Sequence, residues 1–404
     1  MKPRVVLLYG DTGGGHRSAA QAIEKALHMR YPDQFETALV NGLRYAPFFV
    51  NAFTETYPMW VNYARVLYAL GFHATNDRRR VLALRNVLDP LSEKSVDAIV
   101  ENNPADLYIS CHPLFAQSVP GALRRLKHPA PIIHVVTDLV SGHVAHYTPE
   151  VDHLIVPTEE ARQQAIRNLV PPEKISVCGQ PVAPDFAERC KKRAETRAAL
   201  ALGDQLTVMV IGGGDGMGRL EITARYLALS GLPIQLLVVC GRNQTVKENL
   251  EFLNPRVPMK VFGFVNNIPE LMGASDILVT KAGPGTICEA FIAGLPIILY
   301  DAVPGQEDGN VDYVVKNGAG AWCPFPWTVV RQVKEWINDP EALARARAAS
   351  QRLAQPDSAL RIADVAVDVL QRAQLDRGAA ASEHSATAER WDVGSAPERS
   401  AASS

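Results

Sequence analysis

The sequence lacks the features that mark several broad classes of protein. Its six cysteines are scattered over 404 residues, and no CxxC pair suggests a zinc site or a disulfide framework. The formal net charge of −2 provides no excess of positive charge for bulk binding of nucleic acid. We therefore expect a protein of a reducing compartment with neither a metal site nor a nucleic-acid partner.

Long apolar runs are also missing. The longest uncharged stretch, residues 226–241, is interrupted by Gly231 and Pro233 and is shorter than the roughly 20 apolar residues that span a bilayer. The first nine residues are too few for a signal peptide and lack a cleavage region. We expect no transmembrane helix and no export by this route, so any membrane contact is peripheral.

Short β-branched runs alternate with helical patterns in two successive stretches of chain. Strands are predicted at 5–9, 38–41, 107–110, 132–137 and 153–157, and then again at 207–211, 234–240, 260–263, 277–280 and 296–300. This alternation indicates parallel sheets covered by helices. The expected fold class is α/β with two doubly wound, Rossmann-like domains, and the boundary lies near residue 180.

The two predicted domains span residues 1–180 and 181–376. A basic helix is expected near 191–202, and a helical stretch runs from about 327 to 374. The last helix could pack back on the first domain. Residues 377–404 are rich in Ala and Ser and have little to bury, so we expect a disordered tail.

A glycine-rich turn follows the first predicted strand. Residues 10–20 read GDTGGGHRSAA, and His16 falls near the N-terminus of the next helix. The amides and the helix dipole there favour an anion and lower the pKa of a histidine, which keeps the imidazole neutral and able to accept a proton. We interpret His16 as a candidate general base; a histidine that only caps the turn is the alternative.

Two common phosphate-binding motifs do not fit this chain. The GxxxxG spacing of residues 10–15 is followed by His16 and Arg17, where a P-loop needs Lys and Ser or Thr. The strand ending near Asn41 lacks the acidic ribose ligand of a dinucleotide-binding fold. Kinase, ATPase and nicotinamide dehydrogenase activities are therefore disfavoured.

The second half carries a glycine turn at 212–218 and two polar motifs. Residues 281–290 read KAGPGTICEA, which predicts a strand end followed by a helix with Thr286 and Glu289 in its first turn. Backbone amides at such turns suit a diphosphate. Glu289 could chelate two vicinal ribose hydroxyls or close a capping box.

The second polar motif, PGQEDGN at residues 304–310, follows the strand predicted at 296–300. Loops at the carboxyl ends of parallel strands are where ligands bind in open sheets. The side chains of Gln306 and Glu307 suit sugar hydroxyls, although a solvated turn would have a similar composition.

These motifs resemble those of the monogalactosyldiacylglycerol synthase family, and more distantly those of the peptidoglycan N-acetylglucosaminyltransferase that acts on an undecaprenyl-linked acceptor. The resemblance covers about residues 5–370 and is carried by DTGGGHR at 11–17, KAGPGTI at 281–287 and PGQEDGN at 304–310. It implies a GT-B fold with an interdomain cleft. It also implies an inverting, metal-independent transfer of a hexose from a UDP-sugar, galactose favoured over glucose, to diacylglycerol.

The resemblance also implies roles for single residues. His16 would deprotonate the acceptor hydroxyl. The residues expected to bind the donor are Gly213, Gly214, Phe264, Val265, Lys281, Gly283, Gly285, Thr286, Glu289, Gln306, Glu307 and Asn310. Among these, the glycine turns would hold the diphosphate, Phe264 and the Val265 backbone the uracil, and Glu289 the ribose. No cofactor and no metal are expected, because amides and helix dipoles would offset the charge of the leaving diphosphate.

The acceptor side is expected in an aromatic segment, residues 45–72, with Arg78–Arg80 directly after it. Aromatic and basic residues together suit a bilayer interface, whereas an aromatic stripe at helical spacing also suits a core. The candidate acceptor and membrane residues are Gly14, Gly15, Phe48, Phe49, Tyr57, Trp60 and His112. Asp138, after a predicted strand, is a second catalytic candidate that could orient His16 or the acceptor.

The expected location is the cytoplasmic side of the cell membrane, with peripheral binding to its lipids, anionic ones included. Three other functions stay open at this point: a UDP-sugar epimerase of the same architecture, a transferase to a polyprenyl-linked acceptor, and a non-catalytic sugar-nucleotide or lipid-binding protein. The epimerase would not need the aromatic segment.

Overall fold

Two six-stranded parallel sheets form the framework of the molecule. The computed structural model describes residues 2–11, 14–48, 56, 60, 64–214, 216 and 218–392, with 380–392 described as backbone only. The first sheet has the order β2-β1-β3-β4-β5-β6 and the second β12-β11-β10-β7-β8-β9. The expected α/β class with two doubly wound domains is confirmed.

The strands of the first sheet are β1 (Arg4–Tyr9), β2 (Glu36–Asn41), β3 (Leu107–Ser110), β4 (Ile132–Val135), β5 (His153–Val156) and β6 (Ile175–Val177). Those of the second are β7 (Leu206–Ile211), β8 (Ile234–Val239), β9 (Met259–Phe262), β10 (Ile277–Lys281), β11 (Ile297–Asp301) and β12 (Gly320–Trp322). The short edge strands β6 and β12 were not predicted from the sequence.

The described helices of the first half are α1 (Gly15–Arg30), α2 (Arg65–Thr75), α3 (Arg78–Asn102), α4 (Pro113–Arg125) and α5 (Glu159–Arg167). The helices that follow are α6 (Phe186–Cys190), α7 (Arg193–Ala199), α8 (Leu220–Ala228), α9 (Gln244–Glu251), α10 (Ile268–Ala274), α11 (Pro284–Ala293), α12 (Asp308–Lys316), α13 (Pro326–Asn338), α14 (Pro340–Leu353) and α15 (Ser358–Asp392). The basic helix expected at 191–202 corresponds to α7, which is shorter than expected, and α6 precedes it outside that range.

The central strands of each sheet are buried on both faces because almost all of their residues are apolar. In β1, Val6 and Leu8 join the core on one face, whereas Val5 and Leu7 join the core on the other. This follows from the alternation of side chains along a strand. Continuous Val, Ile and Leu runs are typical of parallel strands covered by helices on both sides.

The last helix crosses back to the first half. Ile362 and Leu370 of α15 pack with Ile23 of α1 in one apolar cluster, and Asp364 pairs with Arg30 at 3.1 Å. The tail expected to be disordered from residue 377 is helical as far as Asp392, which agrees with the high helix propensity of its alanines. Residues 393–404 lie outside the described part of the chain.

Within the described residues, no helix is both long enough and apolar enough to cross a membrane.

Candidate active site in the cleft between the sheets

The carboxyl ends of the two sheets meet across a cleft. Ser141, in the loop after β4, donates its hydroxyl to the carbonyl oxygen of Gln306 at 2.8 Å, and the Gln306 side chain reaches Asp138 at 3.2 Å. The loops expected to carry the chemistry leave these same edges, since strands of a parallel sheet all end on one side.

His16 is the second residue of α1, which begins after Gly14 in a left-handed conformation (φ 80°). Its Nδ1 atom lies 2.7 Å from the Cys111 carbonyl oxygen and 3.0 Å from the Thr137 hydroxyl. Because a carbonyl oxygen only accepts, Nδ1 carries the proton and the neutral ring keeps its lone pair on Nε2. Burial, with a further contribution from His146, lowers the pKa of His16 to about 4, so the ring is a neutral base.

His112 lies directly beside His16, with ring centroids 4.6 Å apart in an edge-on arrangement. It precedes α4, and its Nδ1 accepts a hydrogen bond from the Leu114 amide at 3.2 Å. Burial lowers the pKa of His112 well below its usual value. A Cβ atom on Gly10 would lie 2.6 Å from the His112 ring, so the first glycine of the turn is required by this contact.

A second pair of histidines lies deeper in the same cleft. His134 contacts the Ser110 carbonyl oxygen through Nδ1 at 2.9 Å and His146 through Nε2 at 3.0 Å. His146 in turn reaches Asp138 at 3.2 Å. Burial alone would raise the pKa of Asp138, but its bonds with His146 and Gln306 bring that pKa below the usual value. Asp138 therefore pairs with His146 and Gln306, whereas Cys111 and Thr137 orient His16.

Gln306 is held by the first half from both ends of its amide. Its Nε2 donates to Asp138, and its Oε1 accepts from the Tyr68 hydroxyl at 3.0 Å. Tyr68 lies in α2, the helix that contains the end of the aromatic segment. The loop of residues 304–310, the predicted donor loop, is thus bound to the opposite domain through Gln306.

Glu307 and Asn310 face inward and support the loop. Glu307 is buried, with Oε1 2.6 Å from Lys281 and Oε2 accepting the Val303 amide at 2.9 Å. Asn310 donates to the Ala282 carbonyl oxygen at 2.9 Å, and its buried Oδ1 has no hydrogen-bond partner among the described residues. These side chains join the loop after β11 to the turn after β10.

The position of Glu289 differs from the expectation. Helix α11 begins at Pro284 with Gly283 before it and no side-chain cap, so Glu289 falls in the second turn and a capping box is excluded. Burial raises the pKa of Glu289 to about 7, and no hydrogen bond or ion pair to it is present among the described residues. A half-buried, unpaired carboxylate suits a ligand with hydroxyl donors.

The first turn of α11 is open on its outer side. A Cβ atom added at Gly285 would meet nothing within 4 Å, and Thr286 follows it with a half-buried side chain. Backbone N–H groups at the start of a helix have no intrahelical acceptor. An anion can therefore approach them here.

The glycine turn after β7 is flanked by two cations. Cβ atoms added at Gly213 and Gly214 would lie 3.7 Å from the side chains of Lys281 and Arg242, respectively. The Arg242 amide also donates to the Gly214 carbonyl oxygen at 2.9 Å, and its guanidinium stacks 4.8 Å from the centre of the exposed Phe264 ring. The backbone turn, Arg242 and Phe264 thus line one surface. Val265, next in sequence, is partly buried and packs against the apolar core below.

Helix α2 reaches across to the second domain. Arg65 forms a two-point pair with Asp301 at 2.6 and 3.0 Å and also donates to Ala302. Phe72 packs on Gly305, where a Cβ atom would lie 2.7 Å from the ring. The end of the aromatic segment is therefore part of the domain interface.

The earlier part of the segment is described only in part. Phe48 is 87% exposed, and Trp60 donates from its indole nitrogen to Thr56 at 3.1 Å. Phe49 and Tyr57 lie outside the described residues. Gly14 and Gly15 have open space where a side chain would be, so a ligand can approach the His16 turn.

Sequence reasoning missed several residues of this cleft: Arg65, Tyr68, His134, His146 and Arg242. Arg65 and Tyr68 act through partners more than 230 positions away, and none of the five belongs to a glycine-rich motif. The one sequence feature from which any of them could have been predicted is the presence of His134 and His146 on either side of Asp138.

Among the described residues, no three His, Cys, Asp or Glu side chains are placed to hold a metal ion.

Two family models match the chain. Residues 16–182 match monogalactosyldiacylglycerol (MGDG) synthase, and residues 207–362 match the glycosyltransferase family 28 C-terminal domain. A probable monogalactosyldiacylglycerol synthase 3, chloroplastic, of Oryza sativa subsp. japonica is 36% identical over 367 residues, covering 88% of this chain and 72% of the relative. Monogalactosyldiacylglycerol synthase 2, chloroplastic, of Arabidopsis thaliana is 33% identical over 377 residues, covering 90% and 80%.

Solved structures show the same fold at low identity. S. aureus MnaA, solved with UDP, has a TM-score of 0.59 at 14% identity, covering 90% of this chain and 95% of that one. Acinetobacter baumannii MurG has a TM-score of 0.56 at 15% identity, covering 91% and 99%. These likenesses concern the fold alone and confirm the expected GT-B arrangement.

Proposed function

The chain belongs to the monogalactosyldiacylglycerol synthase family, and from this membership we propose that it transfers a hexose from a UDP-sugar to diacylglycerol. Galactose is the favoured sugar, because the curated relatives are named for a galactolipid. The geometry that best supports the proposal is a neutral histidine, His16, in the first domain near Asp138, whose carboxylate accepts a hydrogen bond across the cleft from Gln306 of the second domain.

In this mechanism Nε2 of His16 accepts the proton of the acceptor hydroxyl. The freed oxygen attacks the anomeric carbon, a new C–O bond forms, and the bond to UDP breaks. Attack opposite to the leaving group inverts the configuration of that carbon. The Cys111 carbonyl and Thr137 hydroxyl hold the ring in the required tautomer, and a positioned general base contributes about 100-fold or more to such a rate.

The donor is assigned to the second domain. Backbone amides at the Gly213 turn and at the start of α11 would offset the charge of the leaving diphosphate without a metal. Glu289 would accept from the ribose hydroxyls, and Phe264 would contact the uracil. Gln306 would contact the transferred sugar, with Glu307 and Asn310 supporting the loop that carries it.

The function is tested by incubating the purified protein with diacylglycerol liposomes and labelled UDP-galactose, UDP-glucose or UDP-N-acetylglucosamine. The expected product is a labelled lipid that forms with UDP-galactose and requires diacylglycerol. Epimerised UDP-sugar without any lipid product would overturn the proposal, as would labelling that requires a polyprenyl-linked acceptor.

We further propose that the protein binds the cytoplasmic face of the membrane through the aromatic segment and α2. Val66, Leu67 and Leu70 of α2 are exposed, as is Phe48 before it. Leu67→Asp should reduce co-sedimentation with liposomes, while Phe252→Asp, at an equally apolar exposed position elsewhere, should not. Equal losses in both variants would argue against this surface.

A further inference from the structure

His134 and His146 are buried beside the site, and the reaction described above uses neither of them. They are 0% and 2% exposed, respectively. Both ring nitrogens of each histidine have a polar partner within 3.2 Å. Because an unsatisfied buried polar group is costly, the partners decide where the protons lie.

The protons can be placed by starting from the backbone. The Ser110 carbonyl oxygen only accepts, so Nδ1 of His134 is its donor at 2.9 Å. Because burial lowers the pKa of His134 well below its usual value, its ring is neutral and has a lone pair on Nε2. This Nε2 atom accepts a hydrogen bond from Nδ1 of His146 at 3.0 Å. One proton of His146 is therefore on Nδ1, in the hydrogen bond to His134.

The other nitrogen of His146 faces Asp138 at 3.2 Å. If Nε2 carried no proton, its lone pair would oppose a carboxylate oxygen at this short distance. A proton therefore lies between the two groups. It remains on the imidazole, since a histidine is a stronger base than a carboxylate and the second Asp138 oxygen already accepts from Gln306.

His146 is thus a buried imidazolium paired with an ionised carboxylate. The other titratable groups around the pair are neutral, because burial lowers the pKa values of His16, His112, His134 and His143 and raises that of Tyr147. Buried ion pairs are retained only when their geometry and remaining hydrogen bonds are well satisfied. Here the remaining bond of the carboxylate is the one to the donor loop.

We propose that His146 is a positioning residue: its imidazolium holds Asp138 ionised and aimed at Gln306, and so fixes the donor loop against the first domain. Its importance for catalysis rests on the proposed function, through the assignment of Gln306 to the donor sugar. With Asp138 accepting at one end and the Tyr68 hydroxyl donating at the other, the Gln306 amide has one orientation.

The charge on His146 is tested by nitrogen-15 NMR of the full chain with labelled histidines and without any ligand. At pH 7 the His146 ring should show two protonated nitrogens, with its signals assigned through His146→Gln. In Asp138→Asn the same ring should become neutral. A neutral His146 ring in the wild type, or a charge that persists in Asp138→Asn, would overturn the proposal.

The positioning role is tested by kinetics. His146→Gln should raise the KM for UDP-galactose about tenfold while kcat changes by less than about threefold, because a positioning loss on the donor side acts mainly on binding. His28→Gln, an exposed histidine bonded to Thr37, should leave both constants unchanged. An unaltered KM in a folded His146→Gln protein would contradict the role.

These two experiments separate the inference from the function. The NMR measurement needs no sugar donor, so it is unaffected if the protein proves to use another substrate. A charged His146 in a protein without transferase activity would overturn the proposed function alone.

Discussion

The Cys111 carbonyl oxygen decides which nitrogen of His16 can act as a base. The sequence predicted the histidine from its place after a glycine turn, and it predicted a lowered pKa from the helix N-terminus. The structure shows that burial is the largest cause of the lowering. The tautomer depends on Cys111, which is 95 positions away, so the local motif carries no information about it.

This environment predicts an unusual pH profile. The reaction needs the neutral imidazole, which is present above the pKa of His16, about 4. With UDP-galactose saturating, kcat/KM for diacylglycerol should stay level as the pH falls from 7 to about 5 and decline only near that pKa, because this ratio reports the ionisation of His16 before the acceptor binds. A decline centred on 6.5, the ordinary histidine value, would contradict the assignment, provided circular dichroism shows a folded protein throughout.

Glu289 offers a second test at this scale. At about pH 8, above its pKa of about 7, the unpaired carboxylate of Glu289 should accept from the ribose hydroxyls. Glu289→Ala should then weaken UDP binding by about 1.5–3 kcal/mol, the scale of hydrogen bonds to a charged group. Isothermal titration calorimetry with UDP measures the loss. Glu341→Ala, at an exposed position of α14, is the matched control, and equal dissociation constants in the two variants would rule out the ribose contact.

Side-chain orientation is what the sequence could not supply. Gln306 and Glu307 were assigned together to the sugar because of their chemistry. The structure places Gln306 in the cleft and turns Glu307 inward onto Lys281. Tyr68, which fixes the Gln306 amide, is 238 positions away, and such a contact exists only in the folded chain.

Among the elements, the long strands were predictable and the short ones were not. Apolar runs such as β7 and β8 are continuous and bounded by turns, whereas β6 and β12 have three residues each. Edge strands this short have no periodicity of their own and form because a neighbouring strand offers hydrogen bonds. The helical part of the tail shows the converse, since its alanines favour a helix without any apolar stripe.

Because α2 contacts the donor loop at Gly305, replacing Gly305 with alanine should lower the free energy of unfolding more than the same replacement at Gly318. Gly305 and Gly318 both have positive φ, 83° and 72°, so alanine at either should lose about 1–2 kcal/mol. Only at Gly305 would the new methyl group meet a side chain, that of Phe72, which should add about 1–3 kcal/mol.

Urea unfolding of both variants measures the difference in free energy. Gly305→Ala should also raise the KM for the donor, because α2 and the loop must separate. Equal stability of the two variants, with an unchanged KM in both, would show that the contact between Phe72 and Gly305 does not hold the loop.

Across the whole molecule, the chain passes from one domain to the other and returns. Helix α15 follows the second domain in sequence but completes the apolar core around α1. Ile362→Ala should therefore destabilise the first domain by about 2–5 kcal/mol, as expected for a truncated core residue. Hydrogen exchange in α1 should become faster.

Leu375→Ala on the same helix is the control, because Leu375 is 74% exposed. It should leave exchange in α1 as it is in the wild type. An Ile362→Ala protein with faster exchange only in the second domain would contradict the assignment of α15 to the first.

The arrangement of two doubly wound halves with facing ligand loops could be derived from the order of strands and glycine turns. The bonds that join the halves could not, because they depend on α2 and on the loop after β4. Those bonds place the base and the donor loop in one cleft, and the proposed reaction depends on that placement.

The claim that a base of the first domain acts on a donor held by the second is tested most directly with one preparation of His16→Ala. Its dissociation constant for UDP and its turnover with UDP-galactose and diacylglycerol are measured side by side with the wild type. We predict an unchanged dissociation constant for UDP and a rate lower by about 100-fold or more. Turnover equal to that of the wild type would contradict it.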